Sequence, residues 1–209
     1  MTAAHTSGTP SAWVVRWSHL VAAGASVLDV ACGSGRHVRW FAGRGCRVTG
    51  VDRDAAALQP LHPLAEVIVA DIENGAWPLP GRRFDAVVVT NYLWRPLLTT
   101  LVDSVADGGL LMWETFSAGN ESVGKPSNPL FLLQPGELLG AVRGLRVVAF
   151  EDGFEGGFEN GCAGVPQRFV QRVVAVRERA AAAHPARHLL AGSAAAFGQV
   201  KSRDSEDPP

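Results

Sequence analysis

The chain has 209 residues, 47% of them hydrophobic and 19% charged, and its 19 basic and 20 acidic side chains leave a formal charge of -1. That length predicts one domain that buries roughly 70% of its unfolded surface, so stability requires neither a staple nor a metal. The near balance of charge gives no broad field for a nucleic-acid backbone, and no run reaches the ~18 apolar residues that span a bilayer. A small-molecule partner is therefore predicted, with neither nucleic acid nor membrane. The beginning of the chain lacks a basic stretch followed by an apolar run, because Arg16, Ser18 and His19 interrupt Trp13–Leu20, and the chain reads as cytoplasmic. Cys32, Cys46 and Cys162 form neither a C-x-x-C pair nor an even set, which predicts no zinc site and no disulfide framework.

In chain order, residues 1–10 are polar and predict a flexible lead, residues 11–179 the folded domain, and residues 180–209 a partly disordered tail. Trp13, Val14, Trp17 and Leu20 recur at helical spacing behind a Ser11 cap. Val-rich runs at Ser26–Ala31, Arg47–Asp52, Ala65–Ala70 and Phe84–Thr90, bounded by Gly, Pro or Asp, predict strands with helix-compatible segments between them. Such alternation implies a parallel α/β sheet covered on both faces. Leu97–Val105 reads as a helix, Gly108-Gly109 as a turn and Leu110–Thr115 as a fifth strand. Phe116–Leu130, rich in turn residues, is long enough to predict a substrate gate. A helix at Pro135–Val142 and strands at Arg146–Asp152 and Phe169–Arg177, joined by a Gly-rich connection, complete the domain as an antiparallel hairpin. Ala180–Ala183 extends a helix toward His184-Pro185, and Lys201–Pro209 has the composition of a disordered end.

The strongest local pattern is Val27-Leu28-Asp29-Val30-Ala31-Cys32-Gly33-Ser34-Gly35-Arg36, a strand with a carboxylate near its end and a glycine turn that opens a helix. Gly33 and Gly35 let backbone approach a ligand. A dinucleotide fingerprint wants a third glycine where Val38 stands, whereas an acidic residue four positions before the first glycine suits a cationic ligand. Asp29 is placed either to hold the glycine loop or to meet the amino group of a methionine moiety. Asp52 ends the second strand, where a carboxylate accepts from both hydroxyls of a ribose. Asp71 ends the third, placed to accept from an adenine amino group, with Ile72 offering an apolar face to the ring. Ala31, Arg53 and Asn91 flank these strand ends and complete the predicted cofactor-binding set.

These motifs resemble class I S-adenosylmethionine-dependent methyltransferases: D-V-A-C-G-S-G-R looks like their first motif, Asp52 their acidic second and Asp71 their third. The run Phe131-Leu132-Leu133-Gln134-Pro135-Gly136-Glu137-Leu138, with Glu151-Asp152-Gly153 after it, is similar to the tellurite-resistance (TehB-like) members. The resemblance implies a three-layer Rossmann-like fold with strand order 3-2-1-4-5-7-6, S-adenosylmethionine as cofactor, and methylation of a small acceptor. Its tellurite-resistance branch points to a soft oxyanion or thiol. Two rivals remain at this stage, a non-catalytic S-adenosylmethionine-binding module and a nicotinamide-dependent dehydrogenase. Asn91-Tyr92-Leu93-Trp94 departs from the motif of base amino-methyltransferases, and Tyr92 and Trp94 read as pocket lining or as core. Candidate catalytic residues are His37, Arg95 and Lys125, as cations beside an anionic acceptor, and Glu114, as a base or orienting group. Asp152, Glu155, Glu159 and Asn160 lack the ligand alternation of a calcium loop and read as an acidic loop, so no metal is predicted.

Overall fold

The computed structural model describes residues 8–159, 162–180, 184 and 186–190. Seven strands form one sheet in the order β3-β2-β1-β4-β5-β7-β6. They are β1 (Ser26–Val30), β2 (Arg47–Asp52), β3 (Glu66–Val69), β4 (Phe84–Thr90), β5 (Val105–Phe116), β6 (Arg146–Glu159) and β7 (Cys162–Val176). The pairings from β3 through β5 are parallel, and β7 runs antiparallel to both β5 and β6. This is the three-layer Rossmann-like arrangement, with the strand order that the motifs imply.

The strands read as continuous Val and Leu because both faces are covered. Successive side chains point to opposite faces, so Leu28, Val30, Val87, Val89, Leu111 and Trp113 enter one core cluster while Val27, Ala86, Val88, Leu110 and Met112 enter the other. The first cluster is closed by α4 (Leu98–Asp103) and α5 (Glu137–Ala141) through Leu101, Val102 and Leu138. The second is closed by α1 (Ala12–Trp17), α2 (Arg36–Gly43) and α3 (Ala55–Leu58), through Trp13, Trp17, Val38, Phe41 and Leu58. Ser11 caps α1 as its position requires, its side chain accepting from the Trp13 and Val14 N–H groups. Among the described residues no helix is long and apolar enough to cross a membrane.

Three stretches differ from the pattern-based expectation. The β3–β4 connection carries no helix: Pro78 and Pro80 interrupt it, and Ile72, Trp77 and Leu79 pack onto the core from a chain of turns. The fifth strand starts at Val105 rather than after the glycine pair, because Gly108, at φ 82, and Gly109 are absorbed as an irregularity between the pairs Phe84–Val105 and Ala86–Leu110. The Gly-rich connection of the hairpin is strand, with register shifts near Gly157 and cross-strand ion pairs from Arg168 and Arg172 to Glu155 in place of apolar alternation. Asp152 and Glu155 are thus strand residues rather than loop residues. Apart from Ala180, the predicted helical extension at Ala180–Ala183 and the tail Lys201–Pro209 lie outside the described residues, as do residues 1–7 of the predicted lead.

Close packing of α2 on the sheet explains why no third glycine is needed in the turn. The space comes from the strand instead: a Cβ on Gly50 of β2 would lie 3.0 Å from the Cys32 sulfur and 3.2 Å from a Val38 methyl. Gly50→Val should therefore overpack this contact and destabilise the protein by about 1–3 kcal/mol. Urea titration checks this: the midpoint should fall at unchanged slope, and an unchanged midpoint would show that the layers are not in close contact here.

Candidate functional site

At the carboxyl ends of β1, β2 and β4 the sheet opens into a cleft of about 580 Å³. Its lining includes Ala31, Gly33, Asp52, Arg53, Asp71, Ile72 and Asn91, seven of the nine predicted cofactor residues. The remaining two, Asp29 and Gly35, are buried and do not line it. Gly35 occupies φ +77, and a Cβ there would run into the Leu61 side chain, so this position turns the chain into α2 rather than facing a ligand. Gly33 has φ +52 with open space where a Cβ would stand, and it faces the cleft. Two non-glycine residues among those described also have positive φ, Ala31 at 51° and Asn91 at 53°, and both line the cleft. Such backbone is costly for L-residues and concentrates at functional sites.

Of the two roles open to Asp29, holding the glycine loop is performed by Asp52. One Asp52 oxygen accepts from the Gly33 N–H at 2.7 Å and the other from the Asp54 N–H at 3.0 Å. Each carboxylate oxygen keeps a lone pair for a ribose hydroxyl. Asp29 is 1% exposed, and neither of its carboxylate oxygens has a hydrogen-bond partner. Burial raises its pKa to about 7, opposed by the nearby Arg36 guanidinium. Asp71 is occupied locally: its oxygens accept from the Glu73 and Asn74 N–H groups and from the Asn74 amide. These bonds hold its pKa below the usual range and shape the turn beside Ile72.

The candidate catalytic residues separate from this cleft. His37 is 1% exposed; its Nε2 accepts from the Ser11 N–H at 3.0 Å, and burial lowers its pKa to about 3, so it is neutral rather than a cation at the mouth. Arg95 pairs with Glu137 through two nitrogens at 2.8 and 2.9 Å and donates to the Leu130 and Leu132 carbonyls, which commits it to pinning the long loop. Glu114 is 1% exposed and accepts from the Ser11 hydroxyl at 3.0 Å and from Arg172 at 2.5 Å, so it works as a tie between α1 and β7. Lys125 stands exposed on the loop. The predicted gate is tied down at several points, with the Asn120 amide donating to the Pro126 carbonyl and its oxygen accepting from the Phe169 N–H. Trp94 and Tyr92 both pack against the core, and Tyr92 also lines the cleft. The pattern did not single out Arg36 and Thr90, which also line it; a cation directly after the glycine turn was the visible signal for Arg36.

Residues 27–109 match the methyltransferase domain family. No curated protein sequence matches the chain. Among solved structures the chain is similar to TehB from Haemophilus influenzae, at 16% identity and a TM-score of 0.63, over 79% of this chain and 61% of that one. It thus spans less than two thirds of TehB. A TehB-like S-adenosylmethionine-dependent methyltransferase from Corynebacterium glutamicum gives 20% identity and 0.54, over 79% and 86% of the two chains. An S-adenosylmethionine-dependent methyltransferase from Methanosarcina mazei gives 14% and 0.61, over 82% and 99%.

The cleft suits that cofactor. Asp29 offers a buried carboxyl group that an ammonium would hold ionised, Gly33 offers bare backbone, and Asp52 retains acceptor capacity. The pKa values give a stability test. Asp29, raised to about 7 from 3.8, disfavours the folded state increasingly as pH rises from 4 to 7, whereas His37, lowered to about 3 from 6.5, does so as pH falls from 6.5 to 3. The two slopes oppose each other in the wild type. Asp29→Asn removes the first, so its stability relative to wild type should grow between pH 4 and 7 and level off above, by at most about 4 kcal/mol. Urea midpoints of both proteins across that range check it, and a pH-independent difference would contradict it. Motifs, fold and cleft agree: residues 27–109 are similar to the methyltransferase domain family, the chain has the Rossmann-like fold of the solved methyltransferases it resembles, and S-adenosylmethionine is the cofactor they indicate.

Proposed function

We propose that the protein uses S-adenosylmethionine to methylate a small-molecule acceptor in the cytoplasm, the acceptor being a soft oxyanion or a thiol. The observation that carries the reading is the convergence of Gly33, Asp52, Ile72 and Thr90 on one cleft at the carboxyl edge of the sheet, the position where open α/β sheets bind ligands. The near-neutral charge supports a small acceptor over a nucleic acid.

The bound cofactor supplies a methyl group on a positively charged sulfur. The protein's work is then to hold that group in line with the acceptor and to exclude water. Asp52 fixes the ribose while holding Gly33, and Ile72, 7% exposed, gives the adenine an apolar face. On this reading the acceptor approaches from the side of Tyr92, which lines the cleft. Burial and the nearby Glu73 and Asp71 carboxylates raise the Tyr92 pKa, which keeps its phenol protonated and unsuited to act as a base. Glu114, the other base candidate, is engaged with Arg172 and Ser11. An acceptor already ionised at neutral pH needs no such base, and this favours an oxyanion or thiolate. The resemblance of the Phe131–Leu138 run to the tellurite-resistance members supports the same acceptor class.

Calorimetry should show S-adenosylhomocysteine binding and no comparable NAD binding. Asp52→Ala should weaken the former ten- to hundredfold, about 1.5–3 kcal/mol for a charge-assisted contact. Unchanged affinity in the folded variant would remove Asp52 from the site. Turnover of labelled S-adenosylmethionine against selenite, tellurite, small thiols, phenols and amines tests the acceptor: methylation of oxyanions or thiols is the expected result. A marked preference for neutral phenols or amines would overturn that acceptor class.

A further inference from the structure

Beyond β7 the described chain returns to the end of α1. The Leu189 carbonyl lies 3.0 Å from Nε2 of His19, 170 positions earlier in the chain. His19 stands exposed in the 3-10 turn Ser18–Leu20 that follows α1, and its other ring nitrogen, Nδ1, is 2.9 Å from the Arg16 carbonyl. Both neighbours are carbonyl oxygens, which only accept. A neutral imidazole carries one N–H and satisfies one of them, leaving a nitrogen lone pair turned toward an oxygen lone pair at the other. The imidazolium carries two N–H groups and satisfies both.

The neutral ring gives up the distant contact rather than the near one. Arg16 is three residues away and its carbonyl is held by α1, whereas the Leu189 carbonyl is in place only when its segment is ordered, which costs backbone entropy. The surroundings act on the charge in both directions. The ring stacks on Trp17, with centroids 5.9 Å apart and 30° between the planes, and an aromatic face favours a cation. The Arg16 guanidinium lies over the same indole at 5.2 Å and is itself paired with Glu151 at 3.0 Å. Arg44 donates to the Ser18 carbonyl at 3.2 Å. On the returning segment Arg187 is exposed, and His188, whose Nε2 is buried without a hydrogen-bond partner, is the other titratable group.

We propose that His19 is a proton-operated clasp: charged, it fastens residues 186–190 against the end of α1, and neutral, it releases them. Histidine changes charge between pH 5 and 8, so the clasp is closed at the acid end of that range and open at the alkaline end. It acts on the helix whose cap, Ser11, is tied to His37 and Glu114. The clasp is independent of which cofactor or acceptor the cleft takes.

Nuclear magnetic resonance of the full chain tests this between pH 8 and 5.5, with the docked fraction of the segment read from the amide shifts and heteronuclear Overhauser effects of residues 187–190. The ratio of docked to free segment should rise about fivefold on acidification, a modest gain because the contact is exposed. The segment amides should share their titration midpoint with the His19 ring signals in the wild type. His19→Gln, checked for fold by unchanged amide shifts across β1 to β5, should abolish the pH dependence, and His188→Gln should keep it. An equal docked fraction at both pH values, or a greater one at pH 8, would overturn the proposal. A switch that follows the His188 signals, or that survives in His19→Gln, would overturn His19 as the clasp.

Discussion

The turn from β1 into α2 is the constraint on which the carboxyl edge of the sheet depends. Gly35, at φ +77, sits against Leu61 with no room for a side chain, and the Gly33 N–H is held by Asp52 at 2.7 Å. The turn thereby fixes the start of α2, and with it Arg36 and His37. These two side chains reach Thr90 on β4 and, through the Ser11 N–H, the start of α1. One local conformation thus sets the floor of the cleft and the position of the leading helix. The cost is visible at Asp29, whose carboxyl group is buried without a side-chain hydrogen-bond partner, its pKa raised by that burial against the Arg36 guanidinium and the Val38 backbone N–H.

A second network holds the far side. Glu114 on β5 binds Ser11 and Arg172, and Arg172 reaches on to Glu151 and Glu155 of β6. Arg16 of α1 meets Glu151 from the other direction. The desolvation of Glu114 and Arg172 is offset only because their charges are paired and hydrogen-bonded together, so the network specifies where α1 and the hairpin lie more than it adds stability. Arg95 does the equivalent for the long loop, joining Glu137 of α5 to the Leu130 and Leu132 carbonyls.

The sheet was legible in the sequence because its strands are buried on both faces and bounded by Gly, Pro and Asp: Arg47–Asp52 and Phe84–Thr90 match their predicted limits. The cleft was legible through Gly33, Asp52 and Asp71–Ile72, which sit at successive strand ends. What escaped was long-range. Ser11 and Glu114 are 103 positions apart and Glu114 and Arg172 are 58 apart, so no local pattern could show that Glu114 is an internal tie. The same holds for His37 and Arg95, whose residue type suggested a cation at the mouth while their burial and partners make one neutral and commit the other.

The central claim is that the cleft is built around an adenosine-bearing cation with an amino-acid end. A crystal structure of the protein with S-adenosylhomocysteine tests it most directly. The account predicts the ribose hydroxyls on Asp52, the adenine against Ile72, and the amino-acid end beside Asp29. A ligand bound away from the glycine turn, or one that leaves Asp52 without contact, would contradict it.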